Sequence, residues 1–229
     1  MRRAVFLDRD GVLIRNVHYG CDPDAIQLLS GVPQGLRLLR EQGYLLIVVT
    51  NQSGVARGYF TEGQLEAMHM RLGEMLMDVG AAIDGFYYCP HHPGGVVPAY
   101  TVICDCRKPR PGMILRACAD FGIEVASSWL IGDILDDVEA GNRAGCRSIL
   151  LDVGSESAPE SPERMPEYVA TDFLDAVHHL LTQHQGSERV RKLGGEEVRK
   201  RRGTDPGSLP RPIASWPSAA RREGVRRRG

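Results

Sequence analysis

Between residues 4 and 181, short apolar runs alternate with longer segments of helical period. AVFLD (4–8), YLLIVVT (44–50), IDGFYYC (83–89), SWLIGD (128–133) and RSILLDV (147–153) are apolar at nearly every position rather than at alternate ones, so as strands they must be covered on both faces. The covers lie between them. VPQGLRLLREQG (32–43) sets Leu36 and Leu39 at helical spacing and stops on Gly43, while Leu65, Met68, Leu72, Met75, Leu76 and Val79 line a helix capped by Thr61 and ended by Gly80. PGMILRACADFG (111–122), with Pro111 in its first turn, and DDVEAGNRAG (136–145) are two more. EYVATD (167–172) and FLDAVHHLL (173–181) complete the series. Strand and helix in turn predict an α/β chain in three layers, a central parallel sheet between helices.

Such sheets bind ligands outside the carboxyl ends of their strands. The polar residues at those ends are Asp8, Thr50 with Asn51, Cys89, and Gly132 with Asp133. The chemistry is expected on this one edge.

The 229 residues consist of two different materials. Residues 1–185 hold 15 Lys/Arg against 24 Asp/Glu, and residues 186–229 hold 13 against 5. The basic part is rich in Gly, Pro and Arg, with Trp216 its only aromatic residue, so it cannot offset ordering entropy by burial. The expected division is a folded domain over 1–184 and a disordered basic tail over 185–229. LLIVV (45–49) is far too short to span a bilayer, and the opening MRRAVFLD meets Asp8 before a signal-like region can form, so the expected location is cytoplasmic. An Arg-rich tail can also bind nucleic acid, which is kept as an alternative reading of another class.

In FLDRDGVL (6–13) a buried strand runs straight into two carboxylates, which at the edge of a core require a compensating charge. Asp8 and Asp10, with Asp133 arriving from IGDILDD (131–137), offer the hard oxygen ligands that Mg2+ prefers. A cation there would keep Asp8 ionised and able to attack phosphorus, giving an aspartyl-phosphate. Asp10 is then placed to protonate the leaving oxygen and later to deprotonate water, and Gly11 keeps the loop tight. Thr50 and Asn51 are neutral donors for phosphate oxygens, Arg107 and Lys108 in CRKPRPGM (106–113) bring cations, and Asp137 is a second-layer carboxylate orienting Lys108 or a water on the metal. Separately, CPHHP (89–93) and CDC (104–106) hold Cys89, Cys104, Cys106 and either His91 or His92, a closed four-ligand set for structural Zn2+ whose loop would aim Arg107 and Lys108.

The ordered set DxDG, TNQSG, RKPxPGM and GDxxxD, spread over residues 4–152, resembles the haloacid dehalogenase (HAD) superfamily of phosphotransferases. The resemblance implies a Rossmann-like HAD fold, Asp8 as nucleophile, Asp10 as general acid/base, Thr50 and Lys108 as phosphate contacts, and Asp8, the Asp10 carbonyl and Asp133 as Mg2+ ligands. The FLDRDGVL start and the cysteine loop are similar to the subgroup of heptose-bisphosphate and histidinol-phosphate phosphatases, which implies His91 as the fourth zinc ligand. It also implies a minimal cap, since only about forty residues, already filled by a loop and a helix, separate the first two motifs. Asn16, His18 and Arg107 become candidates for the non-reacting end of the substrate. Members often carry lysine where this chain has Ile134, one cation fewer at the substrate. The expected activity is hydrolysis of a small phosphorylated sugar, heptose bisphosphate, by a monomer without membrane or nucleic-acid partner; histidinol phosphate is the alternative. Cys21 is expected to serve packing, and His69, His178, His179 and His184 are expected as surface or interface residues rather than ligands.

Overall fold

A computed structural model of the protein describes residues 2–154, 156–194 and 214–215. Seven parallel strands form one sheet: β1 Ala4–Leu7, β2 Leu45–Asn51, β3 Gly85–Cys89, β4 Trp129–Gly132, β5 Arg147–Leu151, β6 Tyr168–Ala170 and the two-residue β7 Ala214–Ser215. Their order is β6-β5-β4-β1-β2-β3-β7, which puts β1 in the interior between β2 and β4. Five helices cover it: α1 Val32–Glu41, α2 Glu62–Asp78, α3 Gly112–Phe121, α4 Leu135–Ala144 and α5 Phe173–Gly194.

The period of two along β1 divides the core. Val5 and Leu7 pack with the α1, α2 and α5 residues Leu36, Leu72 and Val177, whereas Ala4 and Phe6 pack on the opposite face with the α3 and α4 residues Met113, Ala117 and Ala140. Both faces of the strand are dry, as its uninterrupted apolar run requires. Close approach fixes one more detail: a Cβ on Gly35 of α1 would lie 2.7 Å from the Phe173 ring of α5.

Helix limits follow local chemistry. Thr61 Oγ1 accepts from the Gln64 amide (3.2 Å) while the Gln64 side chain accepts from the Thr61 amide (2.9 Å), a reciprocal cap that starts α2. Pro111 stands at the N-cap of α3 rather than inside its first turn. Strands β1 and β4 stop one residue short of Asp8 and Asp133, whose backbones leave the ladder to turn into loops. Helix α5 passes the expected domain boundary at 184 and continues to Gly194; apart from that stretch and Ala214–Ser215, the basic tail lies outside the described residues, and so does the side chain of His184. Among the described residues no helix is long and apolar enough to cross a membrane.

Candidate active site

The loops after β1, β2 and β4 open onto one cavity of about 240 Å³. Its floor is built on Asp8, whose amide still donates to the Ile131 carbonyl of β4 (3.0 Å), so that the last ladder bond aims its side chain off the sheet edge. The chain then folds back through Gly11 at φ +85°; a Cβ there would lie 2.0 Å from Asp133 Oδ2, so both backbone conformation and space demand glycine. Lys108, 2% exposed, reaches in from the loop before α3. Its Nζ donates to Asp8 Oδ1 (2.6 Å) and to the Val49 carbonyl (2.8 Å) and pairs with Asp137 Oδ1 at 2.5 Å. Asn51 clamps this lysine from behind: its Nδ2 donates to the Lys108 carbonyl and its Oδ1 accepts from the Lys108 amide, each at 3.0 Å.

Three buried carboxylates, Asp8, Asp133 and Asp137, bring oxygens within 4.8 Å of one another, and the ammonium of Lys108 pairs with two of them. The surplus of negative charge shows in their proton affinities. Burial first, then the neighbouring Asp137 and Asp10 charges, push Asp8 up to about 6 against the pull of Lys108. Burial, Asp8 and Asp137 push Asp133 up to about 7. Lys108 moves up as well: burial disfavours its charge, but Asp137 and Asp8 more than offset that. A small hard divalent cation is what such an oxygen cluster lacks, so the donor set fits Mg2+. The Asp10 carboxylate stands apart from this cluster on the cavity wall, accepting from Arg9 NH2 (2.8 Å) and Gln52 Nε2 (2.9 Å); the same Gln52 amide also donates to Thr50 Oγ1 (2.9 Å).

Beside β3, four donor atoms form a small tetrahedron. The Sγ–Sγ separations are 3.5 Å (Cys89–Cys104), 3.3 Å (Cys89–Cys106) and 3.1 Å (Cys104–Cys106), and His91 Nδ1 lies 3.7 Å from Cys89 Sγ and 3.3 Å from Cys106 Sγ. These sulfurs are too far apart for disulfides and all are free thiols. Tetrahedral Zn2+ with bonds of about 2.0–2.3 Å needs edges close to these, so the set fits zinc with no position left open. Hydrogen bonding with Cys106 and Cys89 lowers the pKa of Cys104 far below the usual range, while hydrogen bonding to Cys104 and Cys89, with burial, raises that of Cys106 far above it. His92 turns away, its Nε2 3.2 Å from Arg57.

Comparison with known proteins decides the kinship. Residues 105–176 match the HAD-hydrolase-like family model. Over 186 residues the chain is 38% identical to the D-glycero-beta-D-manno-heptose-1,7-bisphosphate 7-phosphatase of Escherichia coli K12, an alignment that covers 81% of this chain and 97% of the relative. The chain belongs to the HAD-type phosphatase family. Two solved members share its fold: D,D-heptose 1,7-bisphosphate phosphatase from B. bronchiseptica, complexed with magnesium and phosphate (29% identity, TM-score 0.67, 79% of this chain and 99% of that one), and the enzyme of the same name from Burkholderia thailandensis (26%, 0.55, 79% and 99%).

Within this HAD-type phosphatase the expected residues fall into two groups. Asp8, Asp10, Thr50, Asn51, Lys108 and Asp133 line the cavity, together with Asn16 and His18 of the segment after β1. Arg107 stays outside the cavity lining; it and Arg57 flank His92 and hold that imidazole's pKa down after burial has lowered it. Asn51 contributes to the wall, but both ends of its amide are occupied by the Lys108 backbone. His69 corrects an expectation: it is 0% exposed, not at the surface, because α2 turns it inward beneath β3 against Phe86 and Tyr88. Arg9, Gln52, Arg57 and His69 carry no motif signal of their own; only Arg9, within FLDRDGVL, and Gln52, within TNQSG, lay inside stretches already singled out.

Proposed function

We propose that this protein is a Mg2+-dependent phosphomonoesterase that removes the 7-phosphate of D-glycero-D-manno-heptose 1,7-bisphosphate through an aspartyl-phosphate. The observation that carries the reading is the Asp8–Lys108–Asp137 chain on the cavity floor, an ionisable nucleophile held 2.6 Å from a buried cation that is itself anchored at 2.5 Å. Asp8 attacks phosphorus as the bond from phosphorus to the sugar oxygen breaks, and Asp10 gives that oxygen a proton. Asp10, now ionised, takes a proton from water as the water oxygen attacks phosphorus, and the phosphorus–Asp8 bond breaks to restore the carboxylate. Lys108 and the Thr50 hydroxyl donate to the phosphoryl oxygens, where charge is greatest during transfer. Mg2+ held by Asp8, the Asp10 carbonyl and Asp133 would spread that charge further and keep Asp8 ionised at neutral pH. Cys89, His91, Cys104 and Cys106 would hold Zn2+, which would orient the loop that carries Lys108.

The bisphosphate is favoured over histidinol phosphate by kinship, since relatives 38–40% identical over about four fifths of this chain are named D-glycero-beta-D-manno-heptose-1,7-bisphosphate 7-phosphatase. The three thiols suit a reducing compartment, and we assign the protein to the cytoplasm as a monomer. The nucleic-acid alternative rests on a tail most of whose residues lie outside those described. Comparing kcat/KM for the β anomer of heptose 1,7-bisphosphate and for histidinol phosphate tests the assignment. Preference for the bisphosphate is expected; equal and weak turnover of both would overturn it.

A further inference from the structure

Among the described residues Arg9 is the largest fully buried side chain, and it lies between the two aspartates of the DxD motif. Its Nε and NH2 grip the Asp10 carboxylate at 3.2, 3.1 and 2.8 Å. Its remaining nitrogen, NH1, lies 3.1 Å from His69 Nε2. A guanidinium has donors and no acceptor, so Nε2 must be the acceptor and the ring proton sits on Nδ1. Sequestration beneath the sheet and the nearby guanidinium both keep the imidazole neutral. The ring is fixed in turn, stacked on Phe86 at 5.1 Å and 20° and tilted against Tyr88 at 5.6 Å. His69 Nδ1 has no hydrogen-bond partner among the described residues, so the ring's polar contact is spent on Arg9.

We propose that His69 and Arg9 are positioning residues for proton transfer: neutral His69 fixes the Arg9 guanidinium, and Arg9 fixes the direction in which Asp10 faces the leaving oxygen. This rests on the reading of Asp10 as general acid/base. It assigns a role in catalysis to a helix residue that touches neither substrate nor metal, sixty positions from the motif it serves. Because the protein side of a proton transfer must sit within hydrogen-bond reach of the oxygen, a carboxylate free to rotate on a loosened guanidinium loses rate only where protonation of the leaving group matters.

The test is leaving-group dependence. His69→Leu, His69→Gln, His69→Asn and Asp10→Asn are compared with the wild type on p-nitrophenyl phosphate, whose leaving group departs unprotonated, and on alkyl phosphates, whose leaving groups do not. Protonation by a positioned acid contributes roughly 10²- to 10⁴-fold in rate. His69→Leu is expected to lower kcat on alkyl phosphates by about ten- to a hundredfold, and on p-nitrophenyl phosphate by less than about threefold, a partial copy of Asp10→Asn. Glutamine, whose Oε1 can reach the place of Nε2, restores the alkyl rate; the shorter asparagine does not. Gln and Asn share an amide and differ in reach, so this pair decides the matter even if the leucine variant fails to fold. Equal losses on both substrate classes, unchanged alkyl turnover, or Gln and Asn variants with the same profile would overturn the proposal. Phosphate release from no substrate by the wild type would sink the phosphatase reading itself, a different failure.

Discussion

At the scale of single residues the site trades stability for charge. Asp8 is held in a state where its ionised form is disfavoured by burial and by Asp137, so the carboxylate costs folding energy at neutral pH. Asp8→Asn removes that cost while leaving Lys108 its pair with Asp137. Turnover is expected to vanish, whereas the metal-free variant melts higher than metal-free wild type at about pH 8, by an amount on the order of 1–3 kcal/mol; calorimetry and a phosphate-release assay read both. Gly11→Ala is the steric counterpart. With its Cβ directed at Asp133 Oδ2, it must displace that carboxylate or the loop, and Mg2+ affinity measured by titration calorimetry is expected to fall at least about tenfold. Replacement of Lys108 by methionine strands two buried carboxylates and is expected to cost roughly 3–5 kcal/mol unless the metal is present.

At the scale of elements, the zinc loop and the sheet have separate duties. The four zinc donors belong to β3 and to the loop that ends two residues before Lys108, whereas the larger core cluster draws on α1, α2, α5 and the strands. Cys104→Ser is therefore expected to lose zinc and at least about tenfold in kcat while keeping far-UV circular dichroism close to wild type. A drop in helix and sheet signal parallel to the loss of zinc would show instead that the loop supports the whole fold. Helix α2 illustrates a different division, since one face builds the core with Leu65, Leu72 and Leu76 while His69 on the same helix serves the polar network behind Asp10.

At the scale of the whole molecule, metal, pH and stability are linked. Asp8 and Asp133 have folded-state values of about 6 and about 7 against 3.8 for a free carboxyl, so the folded chain binds protons more tightly than the unfolded one between these limits. The metal-free protein is thus expected to lose stability as pH rises from about 4 through 7, the reverse of a salt-bridged aspartate. Mg2+ binds the ionised pair, so its stabilisation should be largest above pH 7 and fade below about 6; melting curves with and without the ion at about pH 5 and about pH 8 measure it, and 100-fold saturation corresponds to about 2.7 kcal/mol. Truncation after Gly194 should leave turnover unchanged, since every proposed site residue lies between Asp8 and Asp137. The order of strands and helices, the sheet edge that gathers the polar strand ends and the Cys/His cluster beside β3 were legible in the linear text, because apolar periodicity records burial and because such residues group in short motifs at strand ends, whereas the structure groups Asp137, not the Asp10 carboxylate, with Asp8 and Asp133. Tertiary structure alone decided that Asn51 clamps Lys108, that Arg107 stands beside Arg57 rather than in the cavity, and that His69 lies beneath the sheet behind Asp10. Those roles depend on which side chains meet across elements up to sixty residues apart, and a lone polar residue in a helical pattern looks the same in sequence whether it faces water or an arginine.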